Sequence, residues 1–182
     1  MAISESQAHA LRVRFQHWDR DHNGFIEWSD MENAVRRLGN AFGRASDAPQ
    51  RLALVESCRR FWQVLVEHTD ANADGRISQE EYVRAFADGV MGDADVFDQV
   101  FRTLLADVVR LADVDGNGRL DQEEYTRLMG SWYNAGEADA AAAFHLLDVD
   151  GDGFLTLAEL VRTASGAFVD DTPLMAVPPP SR

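Results

Sequence analysis

A twelve-residue pattern recurs four times along this chain and constrains its fold more than any bulk property. The segments are Asp19 to Asp30 (DRDHNGFIEWSD), Asp70 to Glu81 (DANADGRISQEE), Asp113 to Glu124 (DVDGNGRLDQEE) and Asp148 to Glu159 (DVDGDGFLTLAE). Each has Asp at position 1, Asp or Asn at 3 and 5, Gly at 6, Ile or Leu at 8 and a carboxylate at 12. Apolar residues on both sides recur at helical spacing. They are Leu11, Phe15 and Trp18 before the first loop, with Met31, Val35 and Leu38 after it, and Phe61, Leu65, Tyr82 and Phe86 around the second. Phe101, Leu104, Val108, Leu111, Tyr125 and Leu128 flank the third, and Phe144, Leu147, Leu160 and Val161 the fourth. An i, i+3, i+4 pattern means an amphipathic helix. The expected fold is therefore all-α and compact: four helix–loop–helix units in two packed pairs, with short β-bridges between paired loops.

The residue types explain what such a loop is for. Twelve residues can wrap one calcium ion with oxygens from the side chains at 1, 3 and 5, the backbone carbonyl of 7, a group or water at 9, and a bidentate carboxylate at 12. Carboxylate and carbonyl oxygens suit a hard cation, and no soft or nitrogen ligand stands in the pattern. Glycine at 6 lets the chain turn where a Cβ would be strained. The apolar residue at 8 (Ile26, Ile77, Leu120, Leu155) anchors the loop to the core. The candidate ligands are Asp19, Asp21, Asn23, Phe25, Glu27 and Asp30 in loop one, and Asp70, Asn72, Asp74, Arg76 and Glu81 in loop two. In loop three they are Asp113, Asp115, Asn117, Arg119 and Glu124, and in loop four Asp148, Asp150, Asp152, Phe154 and Glu159. Phe25, Arg76, Arg119 and Phe154 stand at position 7 and offer carbonyls only.

The competing reading is that the acids merely cap helices. Ser78, Asp121 and Thr156 at position 9 each precede a Glu by three residues, which is a capping box. Four complete sets in register between amphipathic helices are too many for turns and caps alone. Charge points the same way. The net charge is −14, and acids packed three or four to a loop oppose folding until a cation neutralises them. Metal binding should therefore stabilise the fold. The same charge disfavours nucleic acid and anionic membranes as partners.

The loops are not equal. Three and four fit the pattern fully. Loop two has neutral Asn72 and is expected to bind more weakly; its Ala71 and Ala73 read as unremarkable. Loop one ends in Asp30, one methylene shorter than Glu, which favours six-coordinate Mg²⁺. Its position 9 is Glu27, one methylene longer than Asp, and could reach the ion directly. The expectation is up to four Ca²⁺, with loop one a compensated site tolerating Mg²⁺.

The loops start 51, 43 and 35 residues apart. Gly39 to Gln50 reads as a linker and Asp88 to Asp95 as a break between halves. The expected organisation is an N-terminal pair over 1–90, a C-terminal pair over 91–169, and an extended or disordered tail over 170–182, which carries three consecutive prolines, Pro178 to Pro180. The single cysteine, Cys58, allows no internal disulfide and reads as a buried thiol. The first ten residues carry no apolar signal core, and no run reaches the ~18 residues of a membrane span. A cytoplasmic monomer is expected. All 17 basic residues are arginine, which reads as the codon bias of a GC-rich genome.

These loops are EF-hands in pattern. The four hands, the long first interval, the first loop ending in Asp and the stretch Phe15 to Asp30 (FQHWDRDHNGFIEWSD) resemble the sarcoplasmic calcium-binding proteins and their bacterial relative calerythrin. The resemblance covers nearly the whole chain to about Val169. It implies two packed EF-hand pairs, a calcium-buffering role and an actinobacterial source. Relatives of this kind commonly have a degenerate second loop, whereas Asp70, Asn72, Asp74 and Glu81 are intact here.

A calcium sensor exposes a flexible, Met-rich groove. The five Met are scattered and large aromatics dominate, which favours a buffer or transporter. The alternative is a sensor that regulates a protein partner. Trp28 and Trp132 are expected to pack on the linker or the other half, against the alternative of a docking surface. The five His (9, 17, 22, 68, 145) read as solvated or capping. With no nucleophile motif and no phosphate-binding turn, an enzyme is not expected.

Overall fold

The computed structural model describes residues 5–87, 94–133 and 135–162. Each repeat folds as helix, loop and helix. Hand one is α1 (Glu5–Trp18), β1 (Phe25–Ile26) and α2 (Trp28–Ala41); hand two is α3 (Pro49–Thr69), β2 (Ile77–Ser78) and α4 (Gln79–Ala87). Hand three runs from α5 (Ala94–Ala112) into α6 (Gln122–Tyr133), and hand four from α7 (Glu137–Leu147) into a short helix, α8, over 157–162. The position-8 residues do what their apolarity implies. Ile26 pairs with Ile77 in an antiparallel two-stranded sheet, and Leu120 with Leu155 in an isolated bridge. All four side chains are fully buried. The loops thus couple one with two and three with four.

Helical periodicity sets the packing. Met31, Ala34, Val35 and Leu38 form the buried stripe of α2, and Leu54, Cys58, Phe61 and Leu65 that of α3. Each fully buried Leu of this kind contributes about 1.5–3 kcal/mol. The stripes do not stay within their own half. α3 lies along α5 and α2 along α6, while α1 packs on α4 and α6 on α7. One continuous core therefore runs through both halves. Trp18 meets Phe61 at 5.9 Å, Trp132 of the other half at 6.5 Å, and Phe61 in turn meets Phe101 at 5.8 Å. A buried polar contact also crosses the seam: Ser57 donates to the Asp107 carboxylate, whose other oxygen accepts from Arg110 at 2.7 Å.

Several expectations are adjusted. The linker is shorter than 39–50, because α2 runs to Ala41 and α3 starts at Pro49. Pro at the first turn sets φ for the helix without wasting a donor. Gly39 lies within α2, and it is glycine's lack of a Cβ that fits there, since a Cβ would lie 2.8 Å from Arg51 Cδ. Of the expected break, 88–93 lie outside the described residues, while Ala94 and Asp95 are already helical in α5. The tail over 170–182 also lies outside the described residues. Trp132 is buried and Trp28 is packed against the core, with the Arg59 guanidinium 5.3 Å above its ring. His17 is not solvated: its ring meets Tyr133 edge-on at 5.9 Å, and burial holds its pKa below the ordinary value. Among the described residues no helix is long and apolar enough to cross a membrane.

Candidate metal centres

The same ladder of hydrogen bonds shapes all four loops. The position-1 carboxylate accepts the amides of positions 5 and 6: Asn23 and Gly24 on Asp19, Asp74 and Gly75 on Asp70, Asn117 and Gly118 on Asp113, Asp152 and Gly153 on Asp148, all at 2.8–3.2 Å. The position-3 oxygen accepts the amide of 5 (Asp21, Asn72, Asp115, Asp150). The position-5 oxygen accepts the amide of 7 (Asn23 from Phe25, Asp74 from Arg76, Asn117 from Arg119, Asp152 from Phe154). Three successive acidic or amide side chains are thereby turned inward by the backbone they sit on. A cradle of oxygens is set by local chain geometry.

Position 12 closes the loop. Glu124 accepts Val114 N at 2.7 Å and Asp121 N at 3.0 Å, and Glu159 accepts Val149 N and Thr156 N. Each carboxylate therefore bridges positions 2 and 9. Glu81 accepts the amide and hydroxyl of Ser78 at 2.9 and 2.7 Å. Burial pushes the Glu81 and Glu159 carboxyls up, but these donors outweigh it and hold both below the ordinary value. They stand ready as anions.

Asp30 differs. It is 4% exposed and accepts Glu27 N at 2.9 Å. Burial, with Asp21 and Asp19 nearby, holds its pKa above the ordinary value despite the Glu27 and Arg20 amides. The shorter arm thus does fold over the loop, from a drier place. Glu27 turns toward the loop as well, its Oε2 accepting Asn23 Nδ2 at 3.3 Å. The side chains that the compensation idea needs are on the same side of the loop.

Two clusters bring three carboxylates together with ligand atoms within 4.8 Å of one another: Asp113, Asp115 and Glu124, and Asp148, Asp150 and Asp152. Among the described residues no such trio forms in loops one and two. Their acids still stand at the pattern's positions, but they are less gathered.

Two features escaped the sequence reading. The first is position 4. His22 and Ala73 both have φ of +57°, while Gly116 and Gly151 occupy the same place at +76° and +70°. A left-handed backbone is demanded there in every loop, and Ala73 is not unremarkable: it holds a conformation costing an L-residue about 1–2 kcal/mol. Comparing the four position-4 residues, two of them Gly, was the available signal. The second is position 7. Arg76 stacks over Phe25 of the paired loop at 3.9 Å, and Arg119 over Phe154 at 4.1 Å. In each pair one loop supplies the cation and the other the ring.

Comparison with known proteins agrees with this geometry. A model described as an EF-hand domain pair matches residues 9–87, and one described as an EF hand matches 105–129 and 140–162. Calerythrin of Saccharopolyspora erythraea is 26% identical over 154 residues, covering 83% of this chain and 85% of that one. A solved calcium-binding protein of Streptomyces coelicolor, described in terms of prokaryotic calcium-mediated regulation, is 29% identical with a TM-score of 0.81, over 89% of this chain and 97% of that one. A sarcoplasmic calcium-binding protein from amphioxus shares the fold at 20% identity and TM-score 0.73, over 98% of this chain and 100% of that one. The Streptomyces and amphioxus proteins are both described as calcium-binding proteins. The chain belongs to the EF-hand family of calcium-binding proteins, and within that family it is similar to calerythrin and to the Streptomyces protein.

Proposed function

We propose that this protein is a calcium buffer that holds one Ca²⁺ in each of its four loops, with loop one able to take Mg²⁺. The observation that carries the buffering role is the single core through both halves. A sensor must open helices to expose a groove, and here α2, α3, α5 and α6 already bury one another across the seam. Met31 and Met129, the described methionines, are fully buried within it. The ligands proposed are the side chains at positions 1, 3, 5 and 12 of each loop, the carbonyls of Phe25, Arg76, Arg119 and Phe154, and Glu27 in loop one. Each loop's inward ladder supports that set. The two pairs, divided near residue 90, act as one body.

Calorimetry at fixed Mg²⁺ tests stoichiometry and affinity together. Four sites with dissociation constants near about 10⁻⁸ M fit a buffer, and values of about 10⁻⁷ to 10⁻⁵ M fit a sensor. The sensor reading has its own support in the regulatory role given for the Streptomyces protein and in two exposed apolar residues, Leu146 just before loop four and Val149 within it. Titration of an apolar fluorescent dye separates the two. A large calcium-dependent rise in dye binding would overturn the buffer.

A further inference from the structure

Arg44 lies in the connection between hands one and two, yet its side chain ends on hand three. Its Nε donates to Leu111 O at 3.2 Å and its Nη2 to Asp113 O at 2.9 Å. Leu111 is in the last turn of α5, where helix carbonyls lack intrahelical donors. Asp113 is position 1 of loop three, whose carboxylate collects the amides of Gly116, Asn117 and Gly118. A guanidinium is a rigid fork, so two carbonyls held by one arginine are fixed relative to each other. We propose that Arg44, supplied by the other half, is a positioning residue of loop three that sets the place of Asp113 and thereby raises that loop's calcium affinity.

The arm that carries Arg44 is itself braced. Arg44 N donates to Gly39 O at 2.8 Å, and Arg51 Nη1 donates to Arg44 O at 3.2 Å and to Asn40 Oδ1 at 3.3 Å. Gly39 leaves the space that Arg51 crosses. Two residues before Arg44, buried Phe42 lies beneath the Arg127 guanidinium of α6, at 5.4 Å. The exit of hand three is held from the same half: Arg37 Nε donates to Ser131 O and Arg20 Nη1 to Trp132 O, at the end of α6. Both helices that frame loop three thus have their carbonyl ends bound by arginines of hand one and its following turn. Arg20 is position 2 of loop one, so the filling of loop one and of loop three share a mechanical path.

The inference rests on loop three being a calcium site. It is tested on the full chain, labelled with ¹⁵N, by following the amides of Gly118 and Gly153 through a Ca²⁺ titration. These report loops three and four separately in one sample. Arg44→Ala is expected to raise the half-filling concentration of loop three about tenfold, within the ordinary scale of coupling between sites, and that of loop four by less than about threefold. Arg44→Lys keeps the charge without the fork and is expected to fall between; it carries the test alone if Arg44→Ala does not fold. An equal shift of both loops, or no shift of loop three beside a responsive unaltered protein, overturns the positioning role alone. A Gly118 amide in the unaltered protein that ignores calcium overturns the assignment of loop three as well.

Discussion

The Arg119 guanidinium lies 4.1 Å from the centre of the Phe154 ring while its Nη1 also reaches Asp152 Oδ2 at 2.9 Å. Arg119 and Phe154 both stand at position 7, where only the carbonyl is offered to an ion. Their side chains are free to tie loop three to loop four, and Arg76 with Phe25 repeats the arrangement in the first pair. The ion pair is more than a third exposed on both sides and is worth little by itself.

The stack should be measurable. A double-mutant cycle of Arg119→Ala and Phe154→Ala, read by urea unfolding in the calcium-free state, is expected to give a coupling of about 0.5–1 kcal/mol. A coupling of zero would reduce the stack to coincidence of two half-buried side chains.

Ala73→Gly is expected to stabilise the protein by about 1 kcal/mol, because it removes the strain of a left-handed alanine. Gly116→Ala should cost a similar amount in loop three. Thermal unfolding of calcium-free protein reads both, and the opposite sign at Ala73 would mean that the strain is absorbed elsewhere.

Much of this architecture was legible in sequence because it is local. The ligand positions, the turn glycine and the position-8 anchor lie within twelve residues, and Ile26 with Ile77 and Leu120 with Leu155 pair as their apolarity implies. Trp132 against Trp18 was foreseen only as one of two outcomes, since periodicity says that a face is buried and not what buries it. The position-7 stacks and the reach of Arg44 were invisible, because they join residues 35 to 69 apart on the chain. No period links such residues. The Ala73 strain belongs to a third class. It is local, but a backbone angle shows in sequence only where glycine marks it.

Removing Glu27 should weaken loop one. Calorimetry on Glu27→Ala is expected to show a loss on the order of tenfold there, since ligand charge sets the affinity of such loops over decades, with the other loops unchanged. Asp30→Ala should cost at least as much, as it also removes the acceptor of the Glu27 amide. An unaltered loop-one affinity in Glu27→Ala would take Glu27 out of the site.

Cys58 is fully buried, and burial together with nearby Asp107 pushes its thiol up to about 12. The folded protein should therefore resist an aromatic disulfide reagent at pH 8 and react once unfolded in urea. The linked effect on stability has a definite sign. The unfolded thiol ionises near its ordinary value of 9.0 while the folded one keeps its proton to about 12. Its contribution is thus complete below pH 9 and is lost as pH rises from there toward 12.

Chelation should lower stability in proportion to the sites emptied. Free Ca²⁺ at a hundred times the dissociation constant adds about 2.7 kcal/mol for each independent site. Urea midpoints with calcium and with chelator measure the sum. A difference equivalent to fewer than four sites, matched to calorimetric stoichiometry, would show how many loops stay empty.

The edge-to-face meeting of Trp18 with Trp132, 6.5 Å apart at 82°, has an optical consequence. Two indoles held that close at a fixed angle mix their electronic transitions, so the junction between the halves carries its own chiral absorption in the near ultraviolet. Any parting of the halves erases that band while leaving the helices' signal untouched, which makes the protein a label-free gauge of its own closure.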